Sequence, residues 1–569
     1  MPTVELVGSG PAAESIDAAL SDTSATVRPA DEPLQTAADL AVVVGAVTDD
    51  RFPTAGERAR ELDVPWVAVE LGGMGGVPVV DAAVSGFGPG SGCFHCLAAR
   101  VRANLDDEQR AGEPPDSGLQ RFAGAVAGRR VQGALSGTGP LAGTVVELPY
   151  AERQFLPVPG CACGGSRSWL PTRGEPPSHE REALARAEAG LDERVGVVSE
   201  VGETESFPAP YYLASVASTE GFSDAVASRQ AAGVAGDWDT AFMKALGESY
   251  ERYAAGVYRT EAMVSGTADG VSDPVPPSAF VRPDDDAPDG GERKWVPAEH
   301  LGTGETYHLP AETVLYPPPS RDVRPPVTTG LGLGGSERDA LLSGLYEVVE
   351  RDAAMLSWYS TYEPLGLRVE SVPEFDELRR RARSESLSVT PLLLTQDVDV
   401  PVVAVALERD EWPAVALGSA ADVDPAEAAT GALEEALQNW MELRGMGPDE
   451  AAEADGAIGH YAARPEEIGS FTTPETTVPL ASVGSETVPE GDDELPALVD
   501  RATAGGLAPY ATRLTTRDIE RMGFEAVRVV APSAQPLFFG ESFFGERARR
   551  VPADLGFEAR PDRAHHPFP

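Results

Sequence analysis

Lysine is almost absent from this chain. Its 569 residues include two, Lys244 and Lys294, so nearly all of the 45 basic side chains are arginine. Against them stand 91 Asp and Glu, for a formal net charge of −46 and a pI near 4.4. No basic face is evident, which argues against nucleic-acid binding. Repulsion on so acidic a surface is tolerable where salt screens it over a few ångströms. The acidity therefore reads as adaptation to a salt-rich, halophilic cytoplasm rather than as a dock for a basic partner. Long apolar runs are missing too. No stretch approaches the roughly 20 residues that a membrane span requires, and Met1-Pro2-Thr3-Val4-Glu5 does not begin a signal peptide. The expectation is a soluble, cytoplasmic protein. No Gly-x-x-x-x-Gly-Lys-Ser/Thr loop occurs, which argues against a P-loop ATPase. Cysteine is limited to Cys93, Cys96, Cys161 and Cys163, and a reducing compartment disfavours disulfides.

The length allows two or more domains, each with its own core. Residues 3–7 form an apolar strand that runs into Gly8-Ser9-Gly10-Pro11-Ala12-Ala13, with helix pattern to about Leu20. Val42-Val43-Val44 and Trp66-Val67-Ala68-Val69 read as further buried strands. This predicts an α/β, Rossmann-like first domain. Its Gly-x-Gly-x-x-Ala turn fits a nucleotide site or simply a tight turn, and the turn is the reading preferred here. Residues 105–120, 164–180, 264–292 and 470–496 read as loops, and Glu180 to Glu193 as a helix. A boundary near residue 195 divides the chain into 1–194 and an α+β unit, 195–569.

Cys93-Phe94-His95-Cys96 and Cys161-Ala162-Cys163 are two short hooks among small residues. Four thiolates in tetrahedral array suit a closed, structural zinc site. Buried free thiols and a redox Cys-x-x-Cys are the alternatives; the absence of a spare cysteine favours zinc. His95 reads as a solvent-facing neighbour.

Three helices carry carboxylates among apolar residues. Glu248, Glu251 and Arg252 share a face of the segment Ala241–Tyr253 by the i, i+3, i+4 rule. Glu347, Glu350 and Arg351 repeat the pattern in Ala340–Ala353, with Asp339 two turns earlier. Ala428–Trp440 presents Glu435 and Gln438. Leu345, Tyr346, Val348, Val349, Leu433 and Leu437 alongside make these helices look largely buried, so their carboxylates need cations. Carboxylate oxygens suit Mg²⁺ and guanidinium forks suit phosphate. Solvated, salt-bridged helix faces remain the alternative.

In this order the residues resemble the YcaO family of ATP-dependent peptide-backbone-modifying enzymes. The first helix is similar to the family's Ser-x-x-x-Glu-x-x-Glu-Arg motif, with Lys244 where the motif has serine. That lysine either reaches a phosphate or lies on the surface. Thr329-Gly330-Leu331-Gly332-Leu333-Gly334-Gly335, Asp339 and Glu347-x-x-Glu350-Arg351-Asp352-Ala353 resemble the central ATP-binding block, and Glu435-x-x-Gln438 the third motif. The resemblance covers roughly residues 196–569. The first 194 residues, with their hooks, are similar to the zinc-binding, ubiquitin-activating-like (ThiF-like) partner domain of azoline-forming cyclodehydratases, which is usually degenerate in adenylation. The ending His565-x-Pro567-x-Pro569 is similar to the family's Pro-x-Pro-x-Pro terminus, its first proline replaced by His565.

The resemblance implies a YcaO-type cyclodehydratase that converts Cys, Ser or Thr of a ribosomally made precursor peptide into azolines, as in bacteriocin biosynthesis. The side chain attacks the preceding carbonyl, ATP phosphorylates the hemiorthoamide oxygen, and phosphate leaves. It implies ATP, Mg²⁺ and structural Zn²⁺. ATP and Mg²⁺ fall to Lys244, Glu248, Glu251, Arg252, Asp339, Glu347, Glu350, Arg351, Glu435 and Gln438. The Pro569 carboxylate is the candidate general base or orienter. Expected partners are the precursor peptide, a separate leader-binding protein or an oxidase, and a second copy in a homodimer. No winged-helix leader-binding segment is read ahead of Val4. Two other functions stay open: thioamide formation or service to a ribosomal-protein methylthiotransferase, and a non-catalytic peptide-binding scaffold.

Overall fold

The computed structural model describes residues 1–569 except 106–114, 150, 166, 173–181, 284–289, 455 and 486. The described residues build a mixed α/β molecule around four sheets. The first has seven strands in the order Thr26–Ala30, Thr3–Val7, Leu40–Ala46, Trp66–Leu71, Ala82–Phe87, Thr144–Leu148, Ala151–Gln154. The first four run parallel and the last three continue as an antiparallel meander. Its central strands are apolar without alternation because both faces are covered. Val4, Val42, Val44, Val67 and Val69 join one core with Ile16 and Val131, while Val7, Ala41, Val43, Trp66 and Ala68 join another with Phe52 and Phe94.

Gly8 and Gly10 make the tight turn after the first strand, both at positive φ, and a side chain on Gly8 would stand 2.5 Å from the Val44 carbonyl. That contact accounts for the small residue through backbone packing.

Three further sheets follow. Val198–Glu205, Tyr211–Val216 and Gln230–Val234 form an antiparallel meander. Arg293–His300, Tyr510–Arg513, Glu525–Val530 and Leu331–Gly334 form the body of the next, with Val264–Gly266 and Thr306–Pro310 paired to its first strand. The last runs Val415–Ala421, Val402–Glu408, Ser388–Leu393, Leu365–Arg368, Thr477–Pro479. The carboxylate helices are longer than the motifs alone define: Trp238–Gly256, Glu337–Trp358 and Pro425–Ala451. Each starts at a side-chain cap, from Asp237, Ser336 and Asp424 respectively, which satisfies an otherwise orphan N–H. The first packs on the meander, the second on Leu331–Gly334 and Glu525–Val530, and the third on the last sheet.

Several loop and helix expectations differ from what is observed. Helix Ser117–Ser136 starts inside the stretch read as loop. Its glycines argue against a helix on propensity, yet Gly124 sits so close to Ala12 that a side chain would stand 2.1 Å from the Ala12 carbonyl. Tertiary contact with helix Pro11–Ser21 overrides propensity. The helix expected over Glu180–Glu193 is confined to Ala183–Ala187 and a following turn of 3₁₀-helix, Glu188–Gly190, and its first two residues lie outside the described set. Short strands Val264–Gly266 and Thr477–Pro479 lie within stretches read as loop. Each is three residues long, too short for a period to register. Residues 106–114, 166, 173–180, 284–289 and 486 of the stretches read as loop lie outside the described residues.

Candidate active site

A cleft of about 660 Å³ lies between the first and third carboxylate helices, closed on one side by Leu333-Gly334-Gly335 and bordered by Phe524. Lys244, Glu248, Glu251, Glu435 and Gln438 line it. Glu248 is held from two sides: the Ala232 N–H donates to Oε2 at 2.7 Å and Arg252 to Oε1 at 2.9 Å. Glu251 carries no ion pair within 4 Å among the described residues. Burial, with Glu347 and Glu248 nearby, pushes its carboxyl up to about 8.

The second helix adds a denser cluster. Arg351 reaches Glu350 at 3.4 Å, Glu435 at 3.3 Å and Glu347 at 4.0 Å. Glu350 accepts from the Ser419 hydroxyl at 2.6 Å, and the Ser419 N–H donates to Glu435. Burial, then the Glu435 charge, pushes the Glu350 carboxyl up to about 8 against the pull of Arg351. Glu347 accepts from the Gly330 N–H at 2.9 Å. Gly330 is required there: its φ is +86°, and a side chain would stand 2.0 Å from the Val529 carbonyl.

The tail enters this cluster. The Trp358 indole donates to the Ala564 carbonyl at 2.8 Å, Tyr461 donates to the His565 carbonyl, and His566 Nε2–H donates to the Phe538 carbonyl at 2.8 Å. Burial lowers the His566 ring to about 3, so it stays neutral. Phe568 is 1% exposed, its ring 6.1 Å from that of Phe471. Arg351 Nη1 then donates to Pro569 O at 2.9 Å.

Two sequence-named residues stand apart. Lys244 sits at the rim, paired with Glu434 at 2.5 Å and about half exposed. Asp339 lies in the first turn of the second helix beside Gly334 and pairs with Arg338 at 3.2 Å; it does not join the carboxylate cluster. Ser419, Glu434 and Arg528 belong to the site without having been singled out. Arg528 is 2% exposed, bonded to the Val327 and Thr328 carbonyls, and electrostatically close to Glu347 and Glu251. A lone serine or arginine on a strand carries no spacing signal; only Glu434, directly before Glu435, was within reach of a pattern.

A second constellation lies at the hooks. The Sγ atoms of Cys93, Cys96, Cys161 and Cys163 all fall within 4.8 Å of one another, with separations of 3.8, 3.6 and 3.4 Å for 93–96, 93–161 and 96–163. A tetrahedral site with bonds of about 2.3 Å sets sulfurs about 3.8 Å apart, so the donor set fits zinc. His95 is exposed, as expected of a neighbour rather than a ligand.

The family model for YcaO cyclodehydratases, ATP- and Mg²⁺-binding, matches residues 232–535, which include all three carboxylate helices. An uncharacterized protein of Methanothermobacter thermautotrophicus is 26% identical over 322 residues, covering 54% of this chain and 81% of that protein. A solved heterocyclase in complex with substrate and cofactor superposes with a TM-score of 0.72 at 20% identity, over 98% of this chain and 83% of that one. The heterocyclase TruD gives 0.66 at 19% identity, over 98% and 82%. These two likenesses describe the fold. The matched motif region carries the assignment: the chain belongs to the YcaO cyclodehydratase family.

Proposed function

We propose that the chain closes azoline rings on a precursor peptide at the expense of ATP. The observation that carries this reading is the convergence at Arg351, where the second helix, the third helix and the tail meet through one guanidinium. In the proposed reaction a Cys, Ser or Thr side chain gives up its proton to a base and its sulfur or oxygen attacks the preceding carbonyl carbon. The resulting oxyanion takes the γ-phosphoryl group of ATP, releasing ADP. The C–O bond then breaks, phosphate departs, and the ring nitrogen loses its proton. Positioning and charge neutralisation carry most of the catalysis.

Glu248, Glu251, Glu347 and Glu350 are the carboxylates proposed to hold Mg²⁺, an all-oxygen donor set that suits a hard cation. Burial, with neighbouring carboxylates adding to it, raises two of them, Glu251 and Glu350, to about 8, so a bound cation would favour their charged form. Mg²⁺ when bound neutralises phosphate oxygens. Arg252 and Arg351 are proposed to orient phosphate, Glu435 and Gln438 line the facing wall and Lys244 the rim, and Asp339 is proposed to reach the nucleotide from the first turn of the second helix, beside Gly334. The Pro569 carboxylate is proposed as the base or orienter at the reacting amide. Residues 1–194 are proposed as a degenerate ubiquitin-activating-like domain with a structural zinc held by the four cysteines, and 195–569 as the YcaO domain. The −46 charge supports a salt-rich cytoplasm, and no helix among the described residues is long and apolar enough to cross a membrane.

Co-expression with a candidate peptide tests the reaction: a loss of about 18 Da marks ring closure, whereas a gain of about 16 marks a thioamide and overturns the reading. For the hooks, metal analysis should find one zinc per chain, and joint replacement of Cys161 and Cys163 by Ala should remove it. Because such a site is folding free energy, that variant should lose the melting transition of the first sheet before that of the ATP-binding region. Zinc near zero in a folded parent protein would refute the assignment.

A further inference from the structure

We infer that the short helix Arg517–Arg521 couples the four-thiolate site to the first carboxylate helix, so that metal at the thiolates and nucleotide at the cleft strengthen each other's binding. This rests on the proposed zinc and Mg-ATP sites.

The contacts form an unbroken chain. Arg517 Nη1 donates to the Cys163 sulfur at 3.2 Å, and its guanidinium packs against Gly164, where a Cβ would stand 2.2 Å from the same nitrogen and displace it. The next residue, Asp518, is wholly buried and forms an ion pair with Arg100, also wholly buried. Arg100 stands one helical turn beyond Cys96 on Phe94–Ala103 and also donates to the Leu156 and Pro157 carbonyls at 3.3 and 3.2 Å, on the strand exit leading to the second hook. The helix therefore grips one hook at Cys163 and the other through Arg100.

Its third grip is on the nucleotide side. The Tyr253 hydroxyl donates to Asp518 Oδ2 at 2.6 Å and accepts from Arg100 at 3.3 Å. Tyr253 is the residue after Arg252, two after Glu251, with its side chain on the opposite, buried face of the same helix. A buried ion pair tolerates little displacement, because separating it strands a charge in an apolar surrounding. Movement of the hooks is thus passed to the register of Glu248, Glu251 and Arg252. Tyr253 is a positioning residue, since it acts through Arg252 and Glu251 rather than on phosphate. Coupling of two binding sites is reciprocal and commonly amounts to about 5- to 150-fold.

The test measures zinc transfer from the zinc-loaded protein to a competing chelator at equilibrium, with and without saturating Mg-ATP. In the parent, Mg-ATP should raise apparent zinc affinity by about fivefold or more. Tyr253→Phe should bind one zinc with unchanged affinity in the absence of nucleotide and lose that enhancement. The nucleotide's own grip on zinc is common to both proteins and cancels in the comparison. Arg517→Gln breaks the other end at a partly exposed position and should abolish the enhancement too. Calorimetry on the same samples separates the failures. Saturable Mg-ATP and zinc binding with no enhancement in the parent, or an equal enhancement in both variants, overturns the coupling alone. A protein that binds no zinc or no nucleotide overturns the proposed sites and the coupling with them.

Discussion

Glu251→Gln and Glu350→Gln are each expected to cut ATP turnover by about 10³-fold, equivalent to about 4 kcal/mol of lost transition-state stabilisation. The substitutions keep shape and hydrogen-bonding reach and delete one negative charge apiece. Glu350 bridges Ser419 and Arg351, and Glu251 faces the cleft, so both losses fall on the charge that would meet Mg²⁺. Stability should move the other way. Each carboxyl is raised from 4.5 to about 8 in the fold, so ionising it opposes folding. That cost is absent below about pH 4.5, grows as the pH rises, and is complete above about 8. At pH 7 the ligand-free glutamine variants should therefore melt at or above the parent's temperature. Parent-like turnover in both variants would refute the metal-site assignment; inactivity with a lowered melting temperature would point to a damaged fold.

Appending a few residues after Pro569, or deleting Pro567 to Pro569, should lower peptide modification by about 10²-fold or more, in the range of a lost acid–base group. Mg-ATP affinity should change less, because among the described contacts of the proposed nucleotide-binding residues it is Arg351 that bonds the tail, while Glu248 and Arg252 keep their own partners. Prolines reduce the entropy lost on ordering the segment, and burial of Phe568 contributes about 2 kcal/mol. Deletion removes that anchor, whereas an extension leaves Phe568 in place and changes only the chemistry at Pro569. Agreement between the two variants would locate the effect at the terminal group. An extension harmless to ring formation would end the proposed role of Pro569.

The motif helices were legible because their spacing is local: three and four residues put Glu248, Glu251 and Arg252 on one face, and the same rule places Glu347, Glu350 and Arg351. The two hooks could be paired because no other cysteine competes. What escaped is non-local. Ser419 enters the cluster only when strand Val415–Ala421 lies under the third helix, and Arg528 only when its strand pairs with Leu331–Gly334. The Arg100–Asp518 pair joins residues 418 positions apart, a separation at which neither residue type nor period announces a partner. Helix Ser117–Ser136 was obscured for a different reason: its glycines lower helix propensity but allow close approach to a neighbour.

The scarcity of lysine also fixes the molecule's reactivity towards acylating reagents. Apart from the α-amino group, the primary amines are those of Lys244 and Lys294. Lys294 bonds Ser265 on an edge of the third sheet, remote in sequence from the motifs, whereas Lys244 stands at the mouth of the cleft. Amine-directed labelling thus yields a readout with almost no background, in which the ratio of adducts at these two positions reports directly on whether the cleft is occupied.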